Sequence, residues 1–77
     1  MKIKVLFFGV LSEEAAASSL EIEYSGDIEG LKETVEESYP SFKKYHYQVS
    51  LNRVIDRENR ALQDGDEVAF LPPFAGG

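Results

Sequence analysis

Few side chains in this sequence are of the types that perform covalent chemistry. The 77 residues include one histidine, His46, and no cysteine. No carboxylate or nucleophile is placed in the sequence to use this histidine as a base, and a metal site of the usual kind needs further ligands. The lack of cysteine excludes a disulfide framework, a thiolate metal site and a cysteine nucleophile. We therefore expect no active site among the side chains and no bound metal or cofactor.

The carboxyl end is the other place where chemistry is possible. Its last six residues, which we call the tail, are uncharged: Pro72, Pro73, Phe74, Ala75, Gly76 and Gly77. Proline lacks the amide donor of a strand, so the tail should leave the sheet on an extended path. Glycines fit a channel too narrow for a Cβ atom, and a terminal glycine carboxylate is sterically open to adenylation. This composition favours a segment made for insertion over a frayed terminus, which is the usual state of chain ends.

Length and charge restrict the class of protein. A chain of this length forms one domain. Its 14 acidic and 8 basic residues give a net charge of −6, which argues against binding to nucleic acid. No apolar run is long enough for a membrane span or a signal peptide core, so we expect a cytoplasmic protein without membrane contact.

Alternation of apolar and polar residues predicts five strands, at residues 2–8, 20–24, 47–51, 53–55 and 67–71. One main helix is predicted between an Asp27 cap and Pro40, because Ile28, Leu31, Val35 and Tyr39 form a single stripe. A short helical turn capped by Ser12 is predicted over residues 12–17.

One helix covering one face of a mixed sheet of four to five strands gives an α+β domain, and the β-grasp (ubiquitin-like) roll is the common form of this element order. Residues 1–71 would form the domain and residues 72–77 the tail. By analogy with that roll, the first and last strands would be parallel neighbours at the centre.

Side-chain parity then predicts which residues face the helix. Those expected to face it are Ile3, Val5, Phe7, Val68 and Phe70, and those expected on the opposite face are Leu6, Phe8, Ala69 and Leu71. A flanking loop that covers the opposite face is an equally good alternative.

Residues 62–77 closely resemble the carboxyl end of molybdopterin synthase small subunits. Residues 3–8 resemble the first strand of that family, and residues 49–52 resemble its strand before the final turn. The chain departs from the family pattern at residues 9–19 and at the aromatic-rich residues 42–47.

This resemblance implies a sulfur carrier of molybdenum cofactor synthesis. An adenylating enzyme of the ubiquitin-activating type would use ATP on the Gly77 carboxylate, and a sulfurtransferase would convert it to a thiocarboxylate. The large synthase subunit, in a heterotetramer of two small and two large subunits, would hold the tail while sulfur passes to cyclic pyranopterin monophosphate. Phe8, Ile55 and Leu71 would contact that subunit.

Three alternatives remain open at this point. The chain could be another β-grasp sulfur carrier, such as that of thiamine synthesis, or a ubiquitin-like protein modifier. It could also be a passive interaction module whose final glycines are accidental. The two prolines before Phe74 favour the molybdopterin interpretation, because the other sulfur carriers and the modifiers typically lack them.

Overall fold

The computed structural model describes residues 1–55 and 58–73. In chain order its elements are β1 (Lys2–Phe7), α1 (Val10–Ala15), β2 (Ser19–Glu23), α2 (Ile28–Ser38), a 3₁₀ helix (Pro40–Lys44), β3 (Gln48–Leu51), β4 (Val54–Ile55) and β5 (Glu67–Leu71). The strand bounds lie within one residue of the predicted ones.

The five strands form one sheet in the order β2-β1-β5-β3-β4. β1 is parallel to β5, with Val5 opposite Val68 and Phe7 opposite Phe70. The β1–β2, β3–β4 and β3–β5 pairs are antiparallel. The predicted α+β class is therefore confirmed, and so is the expectation that the first and last strands are parallel neighbours.

α2 begins and ends where its sequence signals place it. The Asp27 side chain caps the helix by accepting a hydrogen bond from the backbone N–H of Gly30 at 2.9 Å. Tyr39 is the C-cap, and Pro40 follows it. The predicted stripe buries Ile28, Leu31 and Val35 in the same hydrophobic core as the inward-facing residues of β1 and β5.

Aromatic rings fill much of the core beneath α2. The ring of Phe7 meets those of Phe42 and Phe70 edge-on, with centroids 5.3 and 5.7 Å apart. Phe42 is fully buried and comes from the 3₁₀ helix, an element that the sequence analysis did not predict. The aromatic-rich residues 42–47, which depart from the family pattern, therefore include a core residue.

The prediction for α1 was wrong at both ends. The helix begins at Val10, with Gly9 as its N-cap, and Ser12 lies within it rather than capping it. Ser12 instead donates its hydroxyl hydrogen back to the Gly9 carbonyl at 2.7 Å. Because Leu11 and Ala15 are both buried, packing on the core sets the start of the helix earlier than the capping signal does.

Within the described residues, no helix has the length and apolar character needed to cross a membrane.

Candidate docking face and tail exit

The face of the sheet opposite α2 carries a cluster of apolar side chains. We call it the apolar face, and its members are Leu6, Phe8, Ile55, Ala69 and Leu71. They line a shallow depression of about 430 Å³ whose other lining residues are Ser50, Arg53 and Glu67. The three residues predicted from the family as partner contacts are thus brought together in one place.

Alternation along β1 and β5 produces this face. Ile3 and Val5 are fully buried under the helix, whereas Phe8 is 46% exposed and Ile55 is 53% exposed. Ala69 lines the apolar face as parity predicts, yet only 6% of it is exposed. Its sheet neighbours, Leu6 on β1 and Ser50 on β3, are larger than a methyl group, so Ala69 forms the floor between them.

A tight hairpin places Ile55 on this face. Asn52 and Arg53 both have positive φ, 50° and 72°, which is the two-residue turn that matches strand twist. The Asn52 side chain accepts a hydrogen bond from the Glu67 backbone N–H at 3.0 Å and thereby attaches the turn to β5. Arg53 Nε lies 3.5 Å from Glu67 Oε1 at the rim. Sequence reasoning did not single out Arg53, although asparagine at a two-residue loop is a hairpin signal.

The tail begins beside the apolar face. β5 ends at Leu71, Pro72 is half-buried and Pro73 is exposed. The Phe8 backbone N–H donates to the Phe70 carbonyl at 3.3 Å, which holds the end of β1 next to the last residues of β5. Phe74, Ala75, Gly76 and Gly77, the other predicted tail residues, lie outside the described part of the chain. The chemical role assigned to Gly77 and the division into domain and tail stay predictions.

His46 is exposed and lies just before β3. Two other polar groups, the Asp27 carboxylate and the Tyr47 hydroxyl, have hydrogen-bond partners within the domain. Hydrogen bonds from the Gly30 backbone and the Asn59 side chain hold the pKa of Asp27 below its usual value. Burial and a hydrogen bond to Glu36 raise the pKa of Tyr47. Asp27 caps α2 and Tyr47 donates to a residue of α2, so both serve the helix.

The described residues contain no group of three or more histidine, aspartate or glutamate side chains able to hold a metal ion. Within the same residues, every fully buried side-chain nitrogen or oxygen has a hydrogen-bond partner. The arrangement offers instead an apolar surface and, at its edge, the start of the tail.

Comparison with known proteins agrees with this geometry. The model of the ThiS family matches residues 5–77. A molybdopterin synthase sulfur carrier subunit of Mycobacterium tuberculosis is 33% identical, over all of this chain and 99% of the relative.

Solved structures show the same fold. A Pyrococcus furiosus protein assigned as molybdopterin converting factor subunit 1 superposes with a TM-score of 0.87, at 23% identity, over 96% of this chain and 99% of its own. A Helicobacter pylori chain, from a complex of subunits 1 and 2 of molybdopterin-converting factor, matches over the full length of both chains with 28% identity and a TM-score of 0.71. This chain has the ubiquitin-like β-grasp fold and belongs to the ThiS family, among the molybdopterin synthase sulfur carrier subunits.

Proposed function

We propose that this chain carries sulfur as a thiocarboxylate on Gly77 and donates it during molybdopterin formation. The observation that carries the proposal is the position of the apolar face, which lies directly beside the start of a tail that ends in Gly-Gly. Binding on that face would place the tail at the partner's surface, ready to enter its active site.

The partner we propose is the large subunit of molybdopterin synthase. An exposed phenylalanine and isoleucine around a depression are typical of the central anchors of a protein interface. Arg53 and Glu67 lie at the rim, where charges affect specificity and association rate more than affinity. The related Helicobacter pylori chain was solved in such a complex. We expect two small and two large subunits to assemble.

The chemistry falls on the carboxylate of Gly77. An adenylating enzyme would join it to AMP, with release of pyrophosphate from ATP, because a free carboxylate is a poor acceptor for a nucleophile. The terminal sulfur of a persulfide on a sulfurtransferase would attack the acyl carbon and displace AMP. A thiol reductant would then cleave the resulting acyl disulfide, releasing the thiocarboxylate and becoming oxidised to a disulfide with the sulfurtransferase thiol.

In the large subunit, that sulfur would attack a side-chain carbon of cyclic pyranopterin monophosphate, replacing an oxygen substituent and forming a thioester between Gly77 and the pterin. Water would cleave the acyl–sulfur bond of this thioester, which returns the Gly77 carboxylate and leaves the sulfur on the pterin. Two charged carrier chains would supply the two sulfurs of the dithiolene, one each.

The tail supplies reach and access rather than reactive side chains. Six extended residues beyond Leu71 span on the order of 20 Å, enough to enter a partner's cleft. Pro72 and Pro73 would stiffen its start, and residues 74–77 would occupy the channel. Side chains of the domain would take no part in bond formation.

Intact-mass spectrometry tests the proposal. The chain is incubated with ATP, the adenylating enzyme, a sulfurtransferase, a sulfur donor and a thiol reductant, and then with the large subunit and cyclic pyranopterin monophosphate. We expect one oxygen to be exchanged for sulfur in the first stage, and the original mass to return in the second as molybdopterin forms.

Two variants serve as controls. Deletion of Gly77, or extension by one residue, should abolish the mass change and product formation while the far-ultraviolet circular dichroism stays that of the native protein. Full activity of the extended chain, with proteolysis excluded, would contradict the proposal. Isopeptide adducts in the native host without sulfur exchange would indicate a modifier, and a thiocarboxylate that serves only thiazole formation would indicate the thiamine-type carrier.

A further inference from the structure

Gly9, between β1 and α1, has a backbone conformation that is open almost only to glycine. Its φ is 56° and its ψ is −132°, outside the left-handed helical region that other residues occasionally adopt. Both flanks are held by hydrogen bonds. Phe8 donates to β5 through its N–H, and the Gly9 carbonyl accepts from the Ser12 hydroxyl. The backbone at Gly9 is thus fixed within the fold.

The ring of Pro72 lies in the space that a side chain at Gly9 would need. A Cβ atom built on Gly9 would be 2.9 Å from Pro72 Cγ, closer than real Cβ contacts, and 3.8 Å from Pro72 Cβ. Pro72 has a fixed φ of its own. Two residues with restricted backbone conformations therefore lie in contact where the tail leaves the sheet. Gly9 belongs to the fixed β1–α1 connection, and Pro72 is the first residue of the tail.

We infer that Gly9 is a positioning residue that sets the direction in which the tail leaves the domain. The expected effect on sulfur transfer rests on the proposed function, but the contact between Gly9 and Pro72 does not depend on that function. By accepting the Pro72 ring, Gly9 keeps the start of the tail on the β1 side of β5, next to Phe8 of the apolar face. A side chain at position 9 would displace the ring and send the tail elsewhere, although the apolar face would be unchanged.

A double-mutant cycle of Gly9→Ala and Pro72→Ala tests this contact. Pro72→Ala removes Cγ and leaves only the 3.8 Å neighbour, so it should relieve the clash of Gly9→Ala but not its backbone strain. We expect Gly9→Ala to slow sulfur transfer within the saturated complex by about tenfold or more, since small misplacements of reacting groups are costly. In the Pro72→Ala background the same change should slow transfer by less than roughly twofold.

Gly65→Ala is the matched control for backbone strain. Gly65 also has positive φ, 86°, but nothing lies within 4 Å of the Cβ position there. We expect Gly65→Ala to lower the thermal midpoint, as Gly9→Ala does, and to leave the transfer rate and the partner Kd unchanged. Equal slowing by Gly9→Ala in both Pro72 backgrounds, or slowing by Gly65→Ala, would overturn the inference.

A second measurement reads the direction of the tail without any sulfur chemistry. Because the chain has no cysteine, a nitroxide attached to Phe74→Cys labels one position only. In the otherwise unchanged protein, paramagnetic broadening should be strongest at the amides of residues 9–12. Gly9→Ala should move the maximum away from them.

If Gly9→Ala does not fold, Pro72→Ala and Pro73→Ala, each carrying the nitroxide at Phe74→Cys, test whether the Gly9–Pro72 contact directs the tail. Pro72→Ala should move the maximum of the broadening away from residues 9–12. Pro73→Ala, which changes an exposed ring, should widen the pattern at most and leave its maximum at those residues. An unchanged maximum in Pro72→Ala overturns the inference. Absence of sulfur transfer in the unmodified protein would overturn the proposed function instead, while the label would still decide the role of Gly9.

Discussion

The two faces of the sheet are made from the same strands, but one is buried in the core and the other is partly exposed. Phe7 and Phe8 are consecutive, yet Phe7 is 2% exposed beneath α2 and Phe8 is 46% exposed on the apolar face. Phe7 contacts the rings of Phe42 and Phe70. Alternation in a strand therefore lets neighbouring residues serve separate purposes, one stabilising the domain and the other available to a partner.

Because these apolar side chains stay partly exposed, the free protein buries less apolar surface than its sequence would allow. Phe8 and Ile55 are each about half exposed, so each forgoes roughly half of the 1.5–3 kcal/mol that full burial of such a side chain contributes, which matters in a small domain. A partner that covers the apolar face recovers this free energy on binding. The comparison predicts that substitutions on the helix-covered face change stability, and that substitutions on the apolar face change binding.

The largest effect is expected from the pair Phe7→Ala and Phe8→Ala. Phe7→Ala should lower the free energy of unfolding by about 3–5 kcal/mol, because it leaves a cavity among packed rings. Phe8→Ala should lower it by less than about 1.5 kcal/mol, because about half of the Phe8 side chain is already exposed. Urea unfolding measures both, and Phe7→Leu replaces Phe7→Ala if that variant does not fold. Similar losses for the two positions would mean that the faces are not distinct.

Charging the apolar face should weaken the complex with the large subunit. Phe8→Glu should raise the Kd by at least roughly thirtyfold, about 2 kcal/mol, while the thermal midpoint stays unchanged. Leu71→Arg should act in the same direction. Val54→Glu is the control, since Val54 is 64% exposed but does not line the apolar face. Calorimetric titration gives the Kd, and equal weakening by Val54→Glu would contradict the assignment of the face.

Pro73→Gly should loosen the tail without touching either face. Restoring freedom to one backbone position costs about 1–2 kcal/mol when it is ordered again on binding, roughly a five- to thirtyfold weakening. Partner affinity and adenylation rate should both fall, and the urea midpoint should not move, because the ring of Pro73 is exposed. Unchanged affinity and adenylation would show that this proline only ends the strand.

The smallest expected effect concerns Tyr47, which lies just before β3 and is hydrogen-bonded to α2. Its hydroxyl donates to Glu36 at 2.6 Å, and its ring packs on Phe70. Tyr47→Phe should lower the free energy of unfolding by about 1 kcal/mol at neutral pH. Tyr45→Phe is the control, since the Tyr45 hydroxyl makes no hydrogen bond to the described residues.

The same variant should alter the alkaline stability profile. Because burial raises the pKa of Tyr47 above its ordinary value of 10.0, the unfolded chain loses this proton first. The contribution of Tyr47 to stability is present below pH 10 and falls as the pH rises through the folded-state value. Tyr47→Phe should therefore lose less stability than the unmodified protein above pH 10, and superimposable profiles would contradict this.

Sequence could predict the elements whose signals are local. α2 has a cap, an apolar stripe and a terminating proline, and the strands have clear alternation, so their faces followed from parity. The 3₁₀ helix could not be predicted, because a segment of five residues has too little periodicity to mark Phe42 as core.

Features that depend on contacts between different elements were also beyond the sequence. Gly30 has no evident reason in the sequence, but a Cβ atom there would collide with the Tyr24 hydroxyl, which donates to the Asp27 carbonyl. Likewise, the reason for a glycine at position 9 becomes clear only from its contact with the Pro72 ring. Tertiary contacts of this kind decide which glycines can be replaced.

The central position of β5 has a consequence for how the chain folds. The β1–β2 and β3–β4 hairpins can form from local sequence, but neither touches the other until β5 enters between β1 and β3. This step closes a loop of almost the whole chain before its contacts contribute, and such non-local pairing slows folding. We expect stopped-flow refolding in milliseconds to seconds rather than microseconds. Since the strand that joins the hairpins also leads into the tail, the reactive end would be held in place only once the rest of the sheet is complete.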